Sequence, residues 1–205
     1  MSPKDLHRND EHFLARFFEP ESVAIVGASN NPMRINYHLV ANLIKLGFRG
    51  RIYPVHPSEK EILGLQAYPG VKHIPETVDL AVIGVSYAVT PEVLKECVEK
   101  GIKRVTLIAG GFSEAGEEGK RVQAKMARMV RQNGIRVIGP NALSPITVKA
   151  GFCISFHSIE SIKAGGPSVP QGTHGNLSPG HGGGQADRPV ARRDGIRKAR
   201  ESHVA

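Results

Sequence analysis

Five short β-branched runs, almost uniformly apolar, punctuate the chain at Val23–Gly27, Arg51–Val55, Asp79–Val85, Arg104–Ala109 and Ile135–Gly139. A strand with one face in water alternates apolar and polar residues. A run that is apolar at nearly every position reads instead as a strand covered on both faces. The segments between the runs supply the cover. Apolar residues recur three and four apart at Leu39, Val40, Leu43, Ile44 and Leu46, at Val93, Leu94, Cys97 and Val98, and at Val122, Met126, Met129 and Val130. That spacing marks one face of a helix. Thr90-Pro91 reads as a capping residue with proline in the first helical position, and Gly47, Gly101 and Gly134 fall where the helices should end. Strand–helix–strand repetition through short links implies a parallel sheet with right-handed crossovers. The expected fold is α/β, a doubly wound parallel sheet of Rossmann-like type, with strand order near 3-2-1-4-5.

The remainder is less regular. Leu63–Pro75 holds too much proline and glycine for a full helix and reads as a short strand with turns, and Phe152–Phe156 reads as one more strand. Residues 1–19 form an N-terminal extension ending in a short helix near His12–Phe18, and residues 20–163 form the domain. From Ala164 onward large apolar residues nearly vanish among Gly, Pro, Ser, His and Arg. Such sequence buries too little surface to offset its chain entropy, so residues 164–205 are expected to be a disordered tail. The abrupt change points to a shifted reading frame or a truncation near Gly165; a natural disordered tail is the alternative.

Charge and cysteine usage narrow the partners. The net charge is +8, of which the tail carries +3, and the rest is spread along the domain without a basic stripe. A polyphosphate ligand accounts for that distribution as well as nucleic acid does, and no nucleic-acid partner is expected. No apolar run approaches the ~18 residues of a membrane span and no secretion signal is visible, so the expected location is cytoplasmic, away from membranes. Cys97 and Cys153 form no CxxC pair; Cys97 lies on a helix face and reads as core. No metal site is expected.

The chemistry should lie where the strands end. In a doubly wound sheet the first strand-to-helix turn receives phosphate groups, because small residues admit the ligand to the backbone and the helix start offers free N–H groups. Gly27, Ala28 and Ser29 suit that turn, and Arg34 adds a fixed positive charge beside it. The motif is weaker than GxGxxG, and a plain tight turn is the alternative. The second strand ends in Tyr53-Pro54-Val55-His56-Pro57-Ser58 with Lys60 just beyond, so no carboxylate stands where an NAD site holds the ribose hydroxyl. A ligand with a phosphorylated ribose, CoA or NADP, suits this end, and His56 is otherwise a loop histidine. Val85-Ser86 and Gly110-Gly111-Phe112 close two further strand ends on the same crevice, while Ser113 either touches ligand or caps the next helix.

These residues carry a family resemblance. Ser22–Asn141 resembles the CoA-binding domain of ADP-forming acyl-CoA synthetases, relatives of the succinyl-CoA synthetase α subunit. The matching stretches are Val23-Ala24-Ile25-Val26-Gly27-Ala28-Ser29, Tyr53-Pro54-Val55, Glu61-Ile62-Leu63-Gly64, Ala67-Tyr68-Pro69, Ile74-Pro75, Val78-Asp79-Leu80-Ala81-Val82, Ala109-Gly110-Gly111-Phe112 and Ile138-Gly139-Pro140-Asn141. The resemblance implies coenzyme A along the carboxyl edge of the sheet, its phosphates at Gly27–Ser29. It departs from the family at His56, where asparagine is usual, at Ser86, where proline is usual, and at Ala142, where cysteine is usual. Family enzymes also need a phospho-histidine domain and an ATP-grasp domain, for which this chain has no room. It is therefore expected to be inactive alone, with no catalytic residue of its own, and to work with a separate chain that carries those domains. A free-standing CoA-binding module without turnover is the alternative, and an NADP-dependent oxidoreductase a more distant one.

Overall fold

The computed structural model describes residues 14–142 and 145–159. In chain order the elements are α1 (Ala15–Phe18), β1 (Ser22–Val26), α2 (Ile35–Lys45), β2 (Arg51–Val55), β3 (Glu61–Ile62), β4 (Leu65–Gln66), β5 (Leu80–Ile83), α3 (Thr90–Lys100), β6 (Arg104–Leu107), α4 (Glu117–Gln132), β7 (Arg136–Ile138), β8 (Ile146–Thr147) and β9 (Phe152–Cys153). β1, β2, β5, β6 and β7 form one parallel sheet, with Ala24 opposite both Tyr53 and Ala81.

Uniform apolarity arises because alternate residues serve two cores. Val23, Ile25, Leu80 and Val82 pack with Leu39, Val40 and Leu43 of α2 and with Phe152 and Ile154. Ala24, Val26, Ala81 and Ile83 pack with Leu94 and Cys97 of α3 and Met126 of α4. Every residue of β1 and β5 is buried. Phe17 of α1, 1% exposed, joins the first core, while residues 1–13 lie outside the described part. The expected tail, residues 164–205, lies outside it too.

Strand order departs from expectation. The sheet runs β2-β1-β5-β6-β7, or 2-1-3-4-5 for its strands in chain order, instead of 3-2-1-4-5. The reason lies in the link from β2 to β5. That link folds into the β3–β4 hairpin and a single 3-10 turn at Val71–His73, with no helix. At the outer edge of β2, Tyr68 alone makes a parallel bridge to Val55: its amide donates to the Pro54 carbonyl and its carbonyl accepts from the His56 amide. Pro54 has no N–H to offer a further strand on that side. β5 therefore pairs on the free side of β1.

Two smaller departures have equally local causes. Phe152–Phe156 adds no strand to the main sheet; Phe152–Cys153 pairs antiparallel with β8. Beyond it, buried Asn42 of α2 donates to the carbonyls of Ser155 and His157 and accepts from the Ile159 amide, using groups that a strand ladder would need. Thr90 is not a side-chain cap either. Val89 holds the N-cap position, and the Thr90 hydroxyl donates back to the carbonyls of Ser86 and Val85. Gly47, Gly101 and Gly134 all take positive φ at helix ends, as expected.

Candidate functional site

The carboxyl ends of β1, β2 and β5 open into a crevice with two lobes. One, of about 510 Å³, is lined by the turn Gly27–Asn31 with Arg34, Asn36, His56 and Glu59. The other, of about 520 Å³, is walled by Val26, Val55, Val71, Val85, Val89 and Val93 and also touches Pro57 and Ser86. Gly27, Arg34, Asn36 and His56 belong to both. One lobe is polar and the other apolar, and both open beside the start of α2.

The polar lobe is built around a turn whose donors are unused. Gly27 has φ +86 and ties β1 to β2 through its amide and the Val55 carbonyl. A Cβ there would stand 2.9 Å from Val85 Cγ1 and 3.1 Å from Asn36 Nδ2, so glycine is required by space as well as by backbone conformation. Among the described residues the amides of Ala28, Ser29 and Asn30 find no hydrogen-bond partner. Asn30 fastens the turn sideways: its Nδ2 donates to the Glu61 carbonyl and its Oδ1 accepts from the Leu63 amide, pinning the β3 end against the turn. Arg34 caps α2 in an extended conformation, is exposed, and forms no ion pair with any described residue. Free backbone donors beside a guanidinium with no ion pair among the described residues are groups suited to receive an anion, with the Glu59 carboxylate on the same wall.

His56 closes the end of β2. Its Nδ1 accepts from the amides of Ser58 at 3.3 Å and Glu59 at 3.1 Å, which places its ring hydrogen on Nε2 and leaves that N–H free to donate. The histidine thus shapes its own loop and still carries a donor at the junction of the lobes.

Of the residues expected from sequence, Gly27, Ala28, Ser29, Arg34, Val55, His56, Pro57, Val85 and Ser86 line the two lobes. Lys60, Gly110, Gly111 and Phe112 do not. Phe112 is fully buried against Tyr87, and the Gly111 amide donates to Glu114 Oε1 at 2.7 Å. Three backbone amides, those of Glu114 itself, Gly111 and Phe112, hold the Glu114 carboxyl below its usual range. Ser113 does not cap α4, whose N-cap position is Gly116.

Sequence reasoning missed Asn36, Asn30 and Glu96. Asn36 Nδ2 donates to both the Gly27 carbonyl at 2.7 Å and the Gly84 carbonyl at 2.9 Å, stapling the ends of β1 and β5. Glu96 accepts from the Val71 amide and meets Lys72, fixing the floor of the apolar lobe. For Asn36 the available signal was a polar residue in the first turn of the helix that follows β1, which periodicity arguments discard as surface; Asn30 and Glu96 carry no comparable mark.

Known proteins share this fold. The sequence model of the CoA binding domain matches residues 21–145. This chain belongs to that family. The CoA-binding domain is 40% identical over 152 residues to an ADP-forming acetate–CoA ligase II of Archaeoglobus fulgidus, covering 74% of this chain and 23% of the relative. It is 42% identical over 147 residues to the α subunit of ADP-forming acetate–CoA ligase I of Pyrococcus furiosus, covering 70% and 32%. The solved dinucleotide-forming acetyl-coenzyme A synthetase 1 of Candidatus Korarchaeum cryptofilum, in complex with phosphate and ADP, superposes with a TM-score of 0.66 at 35% identity. That match covers 70% of this chain and 30% of the other. The chain thus spans about a third or less of these relatives. No described helix is long and apolar enough to cross a membrane, and no described cluster of His, Cys, Asp or Glu is arranged to hold a metal ion.

Proposed function

We propose that this chain is the CoA-binding part of an ADP-forming acyl-CoA synthetase, holding CoA in the crevice while other segments carry out phosphoryl transfer. The overall reaction would convert an acid, CoA and ATP into acyl-CoA, ADP and phosphate. The observation that carries the reading is the Gly27–Asn30 turn, whose three amides, like the Arg34 guanidinium beside them, have no partner among the described residues. Those donors would receive the pyrophosphate. His56 and Lys60 would serve the ribose phosphate, and β2 itself ends without a carboxylate, Glu59 coming only after Pro57, which favours CoA over NADH. The valine-walled lobe would take an uncharged part of the ligand. Val55, Pro57, Val85 and Ser86 would bound that lobe, with Gly110 and Gly111 outside it beyond the end of β6 and Phe112 buried against Tyr87.

Ser58 Oγ lies 3.4 Å from His56 Nδ1, but that nitrogen already accepts the amides of Ser58 and Glu59, so the pair braces the loop and this part would bind and orient the thiol substrate. The phospho-histidine and ATP-grasp functions would come from a separate chain. Calorimetry of the full chain with CoA, NADPH and NADH tests the reading. CoA should bind most tightly, and equal or tighter NADH binding would overturn it. Acetate, CoA and ATP should give no acyl-CoA with this chain alone.

A further inference from the structure

Asn36 is half-buried at the seam between the polar and the valine-walled lobes and borders both. Its side-chain nitrogen is fully committed, since both hydrogens are spent on the carbonyls of Gly27 and Gly84. That double bond settles the amide's orientation: swapping nitrogen and oxygen would set a carbonyl against two carbonyls. Its Oδ1 accepts no hydrogen bond from any described residue. That oxygen is open to the crevice, with its lone pairs free to accept from a bound ligand.

We propose that Asn36 determines ligand specificity in this crevice by presenting Oδ1 to a hydroxyl adjacent to the bound phosphates. The inference rests on the reading that the crevice takes CoA. An oxygen with no proton repels phosphate oxygens, so it cannot be a phosphate contact; it selects an uncharged donor instead. The phosphates belong a few ångströms away, at the amides of Ala28, Ser29 and Asn30 and at Arg34. CoA carries a hydroxyl on each side of its pyrophosphate: one on the ribose, one on the pantoate. Either satisfies the same chemistry, and the two halves of the molecule can be tested separately. Asn36 also keeps its own oxygen in place, because the two carbonyls that receive its hydrogens are the ends of adjacent strands.

The test compares the full-length parent with Asn36→Ala and Asn36→Asp, titrated with CoA, with 3′,5′-ADP and with pantetheine 4′-phosphate. Asn36→Ala should weaken CoA by about tenfold, the loss of one good hydrogen bond. It should weaken one of the two fragments by a similar factor and leave the other within about twofold. Asn36→Asp turns a carboxylate oxygen against the Gly27 and Gly84 carbonyls, so it breaks the staple and adds charge. It should lower thermal stability and weaken all three ligands alike, the reference pattern for a lost staple against which the uneven loss in Asn36→Ala stands out. A merely structural staple predicts that same pattern for Asn36→Ala: lower thermal stability with both fragments changed alike, and that outcome overturns the proposal. Should Asn36→Ala fail to fold, Asn36→Ser takes its place, because its hydroxyl can still donate to one strand-end carbonyl but is too short to reach the ligand. A parent that binds none of the three ligands removes the CoA reading itself. A parent that binds CoA, with fragment ratios indifferent to position 36, removes only the role of Asn36.

Discussion

The two ends of the parallel sheet treat their polar groups in opposite ways. At the amino end the groups are paired with one another. Arg16 reaches Glu21 at 2.5 Å and lies 3.8 Å from Asp79; the Glu21 amide donates to Asp79; and the Ser22 hydroxyl donates to the Thr77 carbonyl while accepting from the Asp79 amide. At the carboxyl end the amides of Ala28, Ser29 and Asn30, the Asn36 oxygen and the Arg34 guanidinium are left without partners among the described residues. The same strands and the same apolar cores support both ends. Binding capacity in this fold is thus a matter of where pairing stops, and stability a matter of where it is complete. Substitutions at the two ends should therefore separate, one set acting on the ligand and the other on the fold.

The largest expected effect breaks that separation at the single position where the two roles meet. Gly27→Val places a branched side chain at φ +86, with its Cβ within 3 Å of Val85 Cγ1. Backbone strain and overpacking together should cost at least ~3 kcal/mol of stability, and CoA binding should be lost along with the turn. Denaturant unfolding and calorimetry on the same preparation check both. A variant of normal stability that binds CoA normally would remove Gly27 from both roles.

Next come two substitutions that should move in opposite directions. Arg34→Ala removes an exposed, unpaired cation, so the melting temperature should stay within about 2 °C while the CoA dissociation constant rises by tenfold or more, to an order of magnitude. Asp79→Ala at the other end removes the acceptor for the Glu21 amide and the second carboxylate near Arg16. It should cost about 1–2 kcal/mol of stability and leave CoA affinity unchanged. Loss of CoA affinity in Asp79→Ala, with the fold intact at the assay temperature, would show that the ends are coupled.

The contrast also explains what was legible in the sequence. Strands and helices were readable because burial on two faces demands apolar residues at nearly every position of β1 and β5, and that demand leaves a composition trace. The Gly27–Ser29 turn was readable for the same kind of reason, since the space beside Val85 and Asn36 admits only glycine at position 27. Strand order was not: it hangs on one bridge at Tyr68 and on a link without a helix, neither of which has a period. Asn36 and Asn30 were invisible because a single asparagine carries its meaning in which carbonyl it meets 9, 31 or 48 residues away. The tight packing of Phe112 was hidden by its neighbours. Gly110 and Gly111 resemble a ligand-binding turn, yet the Gly111 amide is already taken by Glu114.

That occupied amide yields the smallest expected effect, and it asks whether the stretch after β6 belongs with the paired end or the open one. Glu114 is a fully exposed carboxylate held below its usual value of 4.5 by its own backbone amide and those of Gly111 and Phe112. A lowered folded value means that the charged form is the one the fold prefers. Its contribution is therefore present at neutral pH, above the unfolded value, and is lost as pH falls through the lowered folded one. Glu114→Gln keeps the shape with a weaker acceptor, so it should melt roughly 1–2 °C below the parent at pH 7, and the gap should close as the pH falls below the carboxylate range. The site carboxyl resonance, followed by NMR, should titrate at a pH below that of an ordinary glutamate. CoA affinity should not fall in Glu114→Gln if the Gly111 amide belongs to the open end, because CoA would then compete with the carboxylate for that amide. A clear fall in affinity would show instead that Glu114 holds the Gly110–Phe112 stretch in its binding shape, placing this rim with the paired groups that build the fold.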